Sequence, residues 1–203
     1  MERLYGNWDG TKSVSGISYA CGYCSKVVGP SKQYINIGKD ELYMDITKAR
    51  ILICPNCNFP TFIDKSIEKQ VPGKILGENV KFLPPDIEQL YNEARNCISV
   101  NAYTSTVLSC RKMLMNISVS KGAKEGKTFA SYITFLEENH YTPPNSHEWV
   151  DHIRKKGNEA THEIPSISGP DAEELLEFTE MLLRFVYEMP GKMMEKISHN
   201  VIK

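Results

Sequence analysis

Two groups of residues have types and spacings that carry chemistry. Cys21 and Cys24 stand in "CGYC" and Cys54 and Cys57 in "CPNC", with 29 residues between the pairs. A Cys-x-x-Cys turn offers two thiolates to one tetrahedral ion, so two such turns brought together make a closed four-sulfur site of the zinc type. Gly22 and Pro55 suit the tight backbone such a turn needs. Because a closed site leaves no position for substrate, the expected cofactor is a structural Zn²⁺. Two disulfides are the other chemistry this spacing allows, but a reducing compartment favours metal. No strand-turn-helix context follows either pair to suggest a redox motif.

The second group is "IRKKGNEATHE", residues 153–163. On a helix, Asn158 and His162 lie four apart and share a face; Arg154 extends the same stripe, and His152 falls on another. An imidazole can move a proton near neutral pH, a guanidinium can hold a phosphate oxygen, and an amide can orient a hydroxyl. With RNA, the 2′-hydroxyl would be the nucleophile and no catalytic metal would be needed. Lys155, Lys156 and Arg111 are further candidates for phosphate or nucleic-acid contact. The same residues also have a structural reading. Gly157 marks a kink or a close helix contact, Asn158 bonds backbone there, and His162 caps the helix end.

These groups need different elements to position them. Around the cysteines, "QYINI", "ELYMDI" and "ARILI" are short β-rich runs punctuated by Gly29-Pro30 and Gly38. Tyr19, Tyr23, Tyr34, Tyr43, Phe59 and Phe62 read as the core of a small sheet, with base stacking as the alternative. Residues 64–83 mix Pro72, Gly73 and Gly77 with charge and read as a connector. From Pro84 onward apolar residues recur at helical spacing: Ile87, Leu90, Tyr91, Ala94 and Ile98, then Val107, Cys110, Leu114 and Ile117. Shorter periodic runs follow, and the last carries Leu175, Phe178, Leu182, Phe185 and Val186. Cys97, Cys110 and the methionines at 113, 115, 181, 189, 193 and 194 read as core or dimer packing. The expected fold class is α+β in two modules: a β-rich zinc ribbon at 1–63, a linker at 64–83 and an all-α bundle of about five helices at 84–203.

Composition narrows the function classes. The formal net charge is −1, so no bulk field draws a polyanion and nucleic-acid contact would need a local basic patch. No signal-peptide pattern and no run of eighteen apolar residues is present, so the expectation is a cytoplasmic protein with no membrane partner.

The helical part, from about Leu83 to Glu188, resembles the family of domain of unknown function 4145. The residues that carry the resemblance are "AYTSTVLSCRKMLMNI" and "IRKKGNEATHE", the latter fitting a Gly-Asn-x-x-x-His core. That family is grouped with the HEPN superfamily, whose helical bundles commonly dimerise and include metal-independent endoribonucleases. The resemblance implies His162 as the superfamily His and Asn158 as the polar residue four before it. Where the superfamily places its Arg, directly before that polar residue, this chain has Gly157. The resemblance therefore implies first an interaction module: a dimeric bundle binding RNA, DNA or a protein partner of a bacterial defence, restriction or phage system. The alternative is an endoribonuclease using His162, Asn158 and either Arg154 or Arg111. A nucleotide or small-molecule sensor is a third reading.

Overall fold

The computed structural model describes residues 4–65, 67–162 and 167–201, with the side chains of 156–162 and 199–201 outside that description. The chain divides into two compact units, Met1–Ile75 and Leu76–Lys203.

The first unit is β. Its strands are β1 (Lys12–Ser13), β2 (Tyr19–Ala20), β3 (Val27–Val28), β4 (Lys32–Lys39), β5 (Asp45–Ile53), β6 (Pro60–Asp64) and β7 (Lys69–Val71). Five of them form an antiparallel sheet in the order β1-β4-β5-β6-β7, and β2 and β3 make a separate ribbon. Register sorts the side chains into rows across the sheet. Gln33, Leu52 and Thr61 line up on a buried row, whereas Tyr34, Ile51, Phe62 and Val71 line up on the opposite, partly exposed face. The run "ELYMDI" is not a strand along its length. The Asp40 carboxylate accepts the N–H groups of Leu42 and Met44, at 2.9 and 2.8 Å, and closes a hairpin tip that leaves Leu42, Tyr43 and Met44 exposed.

The second unit is helical: α1 (Pro85–Ser99), α2 (Tyr103–Ser120), α3 (Phe129–Glu138), α4 (His147–His162), α5 (Gly169–Leu183) and α6 (Met189–Val201). A π-helical turn, Arg184–Glu188, joins α5 to α6 without a break, so the described residues of the unit form five helical rods. In that turn Met189 N–H reaches back to Arg184 O, five residues away, and the wide turn lets the helix run past Pro190. Among the described residues no helix is long and apolar enough to cross a membrane.

One core fills the unit. Tyr91, Ala94, Leu114, Ile117, Ile133, Ile153 and Phe178 are nearly or wholly removed from water. Met113 and Cys110 belong to it, while Met189, Met193 and Met194 are exposed. Helix starts follow capping chemistry: Thr128 and Ser168 accept the N–H of Ser131 and Asp171, each at 3.2 Å. The stretch before α1 belongs to this unit because Arg95, itself buried, donates to Leu76 O, Gly77 O and Asn79 Oδ1. Tyr91 adds its hydroxyl to Glu78 O and Glu180 Oε2. Gly77 has to be glycine: its φ is +70°, and a Cβ there would meet Tyr91 Oη at 2.6 Å.

Candidate functional site

The four cysteines sit on two turns of the same construction. In the first, Ser25 N–H bonds Cys21 O and Cys21 N–H bonds Lys26 O; in the second, Asn58 N–H bonds Cys54 O and Cys54 N–H bonds Phe59 O. Ser25 and Asn58 occupy equivalent places and both have left-handed φ, +58° and +64°. The backbone thus curls around each pair, and Tyr23 N–H points at Cys21 Sγ from 3.4 Å. Tyr23 and Phe59, one from each turn, stack at 4.7 Å between ring centroids.

All four sulfurs lie within 4.8 Å of one another. Cys21 and Cys57 sulfurs are 3.7 Å apart, and those of Cys24 and Cys54 are 3.8 Å apart. A disulfide would hold its sulfurs at about 2.0 Å. Four thiolates about 2.3 Å from one tetrahedral ion would instead stand about 3.8 Å apart. The separations therefore fit metal and not a disulfide. Burial pushes the Cys21 and Cys57 thiols up, while the Lys26 N–H and the Asn56 amide help bring Cys24 down to about 7 despite its own partial burial. A buried group of sulfurs that resists ionising alone becomes stable as thiolates on a cation. The pocket is closed by Gly22, whose Cβ would stand 2.3 Å from Pro72 O, so only glycine lets the chain pass. Of the ribbon aromatics, Tyr19 is buried against the cysteines, Tyr34 donates to Asp9 O, and Phe62 and Tyr43 are exposed.

The helical candidates whose side chains are described are not gathered at one point. Arg154 is held by carboxylates: Nη2 donates to Glu137 Oε2 at 3.2 Å and Nη1 donates to Asp151. Its Nε is shut off from solvent with no acceptor among the described residues. Glu137 also takes His147 Nδ1 at 2.6 Å, and His147 Nε2 lies 3.4 Å from Asp151. The hydrogen bond to Glu137, then the charges of Asp151 and Glu137, raise the His147 pKa above its ordinary value. His152 leaves the stripe, as its spacing implied, and lies 2.9 Å from Glu174 on α5.

Arg111 is a contrast. Its guanidinium lies over the Phe129 ring at 4.2 Å, and Nη1 is enclosed without an acceptor among the described residues. Burial alone draws its pKa down. Phe129 opens α3 and Glu137 nearly closes it, so the two arginines sit at opposite ends of that helix, about 12 Å apart along its axis. Lys155 is exposed on α4. Asn158, His162 and Lys156 fall on the backbone of α4, and their side chains lie outside the described residues.

Residues that spacing did not single out do much of the polar work. Glu137 organises the α3–α4 end, and Glu180 ties Tyr91, Arg184 and the backbone of Glu78. Arg184 reaches Glu78, Glu180 and Glu188, and Lys192 reaches Glu188 at 2.7 Å. The i, i+4 spacing of Glu180, Arg184, Glu188 and Lys192 is the signal that would have found this ladder. A cleft of about 550 Å³ opens beside the α3–α4 cluster, lined by Glu137, His140, Pro143, His147 and Phe185 among others.

A family described as "Domain of unknown function (DUF4145)" matches residues 92–200, more than half of the chain. The match lies wholly within the helical unit and takes in Arg111, Arg154, Asn158 and His162. No curated protein and no solved structure matches the chain.

Proposed function

The chain belongs to the DUF4145 family, and from that premise we propose that it is a non-catalytic interaction module: a ribbon closed by structural zinc, fused to a HEPN-like bundle. It binds a nucleic-acid or protein partner, as a cytoplasmic homodimer, in a bacterial defence, restriction or phage setting. The observation that carries the reading is the state of Arg154. Two carboxylates already neutralise it, and Gly157 supplies no guanidinium where the superfamily has one. A phosphate would have to displace Glu137 and Asp151 to reach it. Zinc is the metal this reading assigns because four cysteine sulfurs, three of them buried, at these separations match its preferred ligands and geometry.

The test pairs a cleavage assay with a binding assay. Purified protein in EDTA should leave varied RNAs intact, and His162→Ala should change nothing in that assay. Binding to single-stranded RNA, single-stranded DNA or duplex should be measured against salt. RNA cleavage that His162→Ala abolishes would overturn the non-catalytic reading.

The endoribonuclease keeps one observation in its favour. Arg111 has no carboxylate partner among the described residues, so it is the arginine free to meet a phosphate. If the chain cuts RNA, that activity should require Arg111 together with His162 and survive Arg154→Gln.

A further inference from the structure

We propose that the loop from α2 to α3, with Arg111 beside it, is the surface on which the helical unit holds the phosphate backbone of a nucleic-acid duplex, whatever its base sequence. This rests on the reading of the chain as a nucleic-acid or protein binder and names the partner and the surface. Residues 111–127 hold five of the fourteen cationic side chains of the helical unit and one of its eighteen acids, Glu125. The rest of the unit is therefore acid-rich and repels a polyanion, whereas this segment attracts one. Arg154, Arg184 and Lys192 are each held by carboxylates. Arg111, Lys121, Lys124 and Lys127 have no carboxylate partner among the described residues. Two of the four are seated on rings instead: Arg111 over Phe129 at 4.2 Å and Lys121 Nζ over Tyr187 at 5.2 Å. A ring fixes a cation in place without cancelling its charge.

The fold sets these charges in a row. Arg111 and Lys121 stand about 15 Å apart along α2. The loop leaves α2 at Lys121 and enters α3 at Phe129, the ring that Arg111 covers. It therefore returns along the last turns of α2 and carries Lys124 and Lys127, both exposed, between the two. Gly122 and Gly126 turn the chain with φ of +107° and +75°, and a Cβ at either would meet nothing, so the loop stands open to solvent. The α3 helix begins where the loop ends and adds the positive end of its dipole. Four cations against Glu125 leave the row at +3. One phosphate group cannot span such a row, whereas one duplex strand sets about four phosphates along it, at about 3.4 Å of rise each. Phe129 is buried and Tyr187 is covered by Lys121, so neither ring offers a platform for unstacked bases. That favours a duplex held by its backbone and not read through its bases.

Fluorescence anisotropy of a labelled, mixed-sequence DNA duplex, titrated with the full, zinc-loaded chain between about 50 and 200 mM salt, tests this. The wild type should bind with a slope of log affinity on log salt of about −3, the same for unrelated sequences. Lys124→Gln with Lys127→Gln should flatten that slope by about two and weaken binding at least about tenfold at the lower salt. Lys124→Arg with Lys127→Arg should keep both slope and affinity. Both double variants should keep the helical circular dichroism of the parent, since the two side chains are exposed. Duplex binding that survives the loop glutamines overturns this surface and leaves the nucleic-acid reading standing; its loss in Lys32→Gln with Lys69→Gln would then put the contact on the ribbon. Tighter binding to a single strand with the same number of phosphates overturns the choice of duplex. No binding to duplex or single strand overturns the surface and the nucleic-acid reading together, leaving a protein partner. Vesicles of anionic lipid bound through the same lysines, with no duplex bound, overturn the proposal in favour of a membrane.

Discussion

Arg154 on α4 donates across the α3–α4 turn to Glu137, which also holds His147 at 2.6 Å. One carboxylate thus serves two bases that lie seven residues apart, and the start of α4 is pinned to the end of α3. Arg154 is about three-quarters buried and Glu137 slightly more so. A charge-assisted bond in that setting stabilises by about 1–2 kcal/mol. Arg154→Gln should therefore lower the melting temperature by several degrees while leaving any nucleic-acid affinity unchanged. Loss of affinity without loss of stability would instead make Arg154 a ligand contact.

His147 makes the same turn sensitive to pH. Its raised pKa means that the folded form holds the proton more tightly than the unfolded chain does. The stabilisation is fully present below the unfolded value of about 6.5 and fades as pH rises through the higher folded value. The difference in melting temperature between wild type and His147→Ala should shrink from pH 6 to pH 8. Proton NMR should place the imidazole titration above 6.5 in the parent and lower in Glu137→Gln.

Metal removal should act on one unit only. Zinc binding and folding are coupled where four ligands come from a small β module. Metal analysis should find about one Zn²⁺ per chain. Cys57→Ser or a strong chelator should abolish the near-ultraviolet signal of the Tyr23–Phe59 stack, while the helical circular dichroism persists. A folded, zinc-free ribbon with its thiols intact would defeat the assignment.

Gly22 should not tolerate a side chain. Alanine there would drive a methyl into Pro72 O at 2.3 Å and Gly73 O at 2.6 Å, both backbone atoms with little room to yield. A cost on the order of 2–3 kcal/mol follows, measurable as weaker zinc retention against a competing chelator. Gly29→Ala is the control, because its Cβ would have ordinary contacts, with Ile17 O at 3.6 Å.

Cys110 should be chemically silent in the native state. It is wholly buried, and burial pushes its thiol up to about 12. Alkylation at pH 8 should follow global unfolding for Cys110, while the partly exposed Cys97 reacts sooner.

The cysteine turns were legible in sequence because ligand spacing is a local property of the chain. Helical periodicity likewise located the buried positions Ile87, Tyr91, Val107, Leu114, Leu175 and Leu182. Phe185 was another matter: it was read as part of the apolar face, yet it lies at the margin of the arc that Phe178, Leu182 and Val186 bury and is exposed. The hairpin tip at 41–44 reads as strand by composition, and the Asp40 carboxylate overrides that preference. The state of Arg154 was invisible from "IRKKGNEATHE", since its decisive partner, Glu137, comes from another helix.

The π turn also sets a dial. An α-helix advances 100° per residue, and this turn absorbs extra chain without breaking the rod. Rewinding the same residues, Arg184 to Glu188, as ordinary α-helix would swing everything beyond them by up to roughly 100°. Met193 and Ile197 would then point away from the line they share with Phe185, and Gly191 would no longer be the residue beneath Phe82. The aim of the last thirteen-residue helix thus depends on the width of this turn, and a one-residue deletion that restored α winding would leave that aim nearly unchanged.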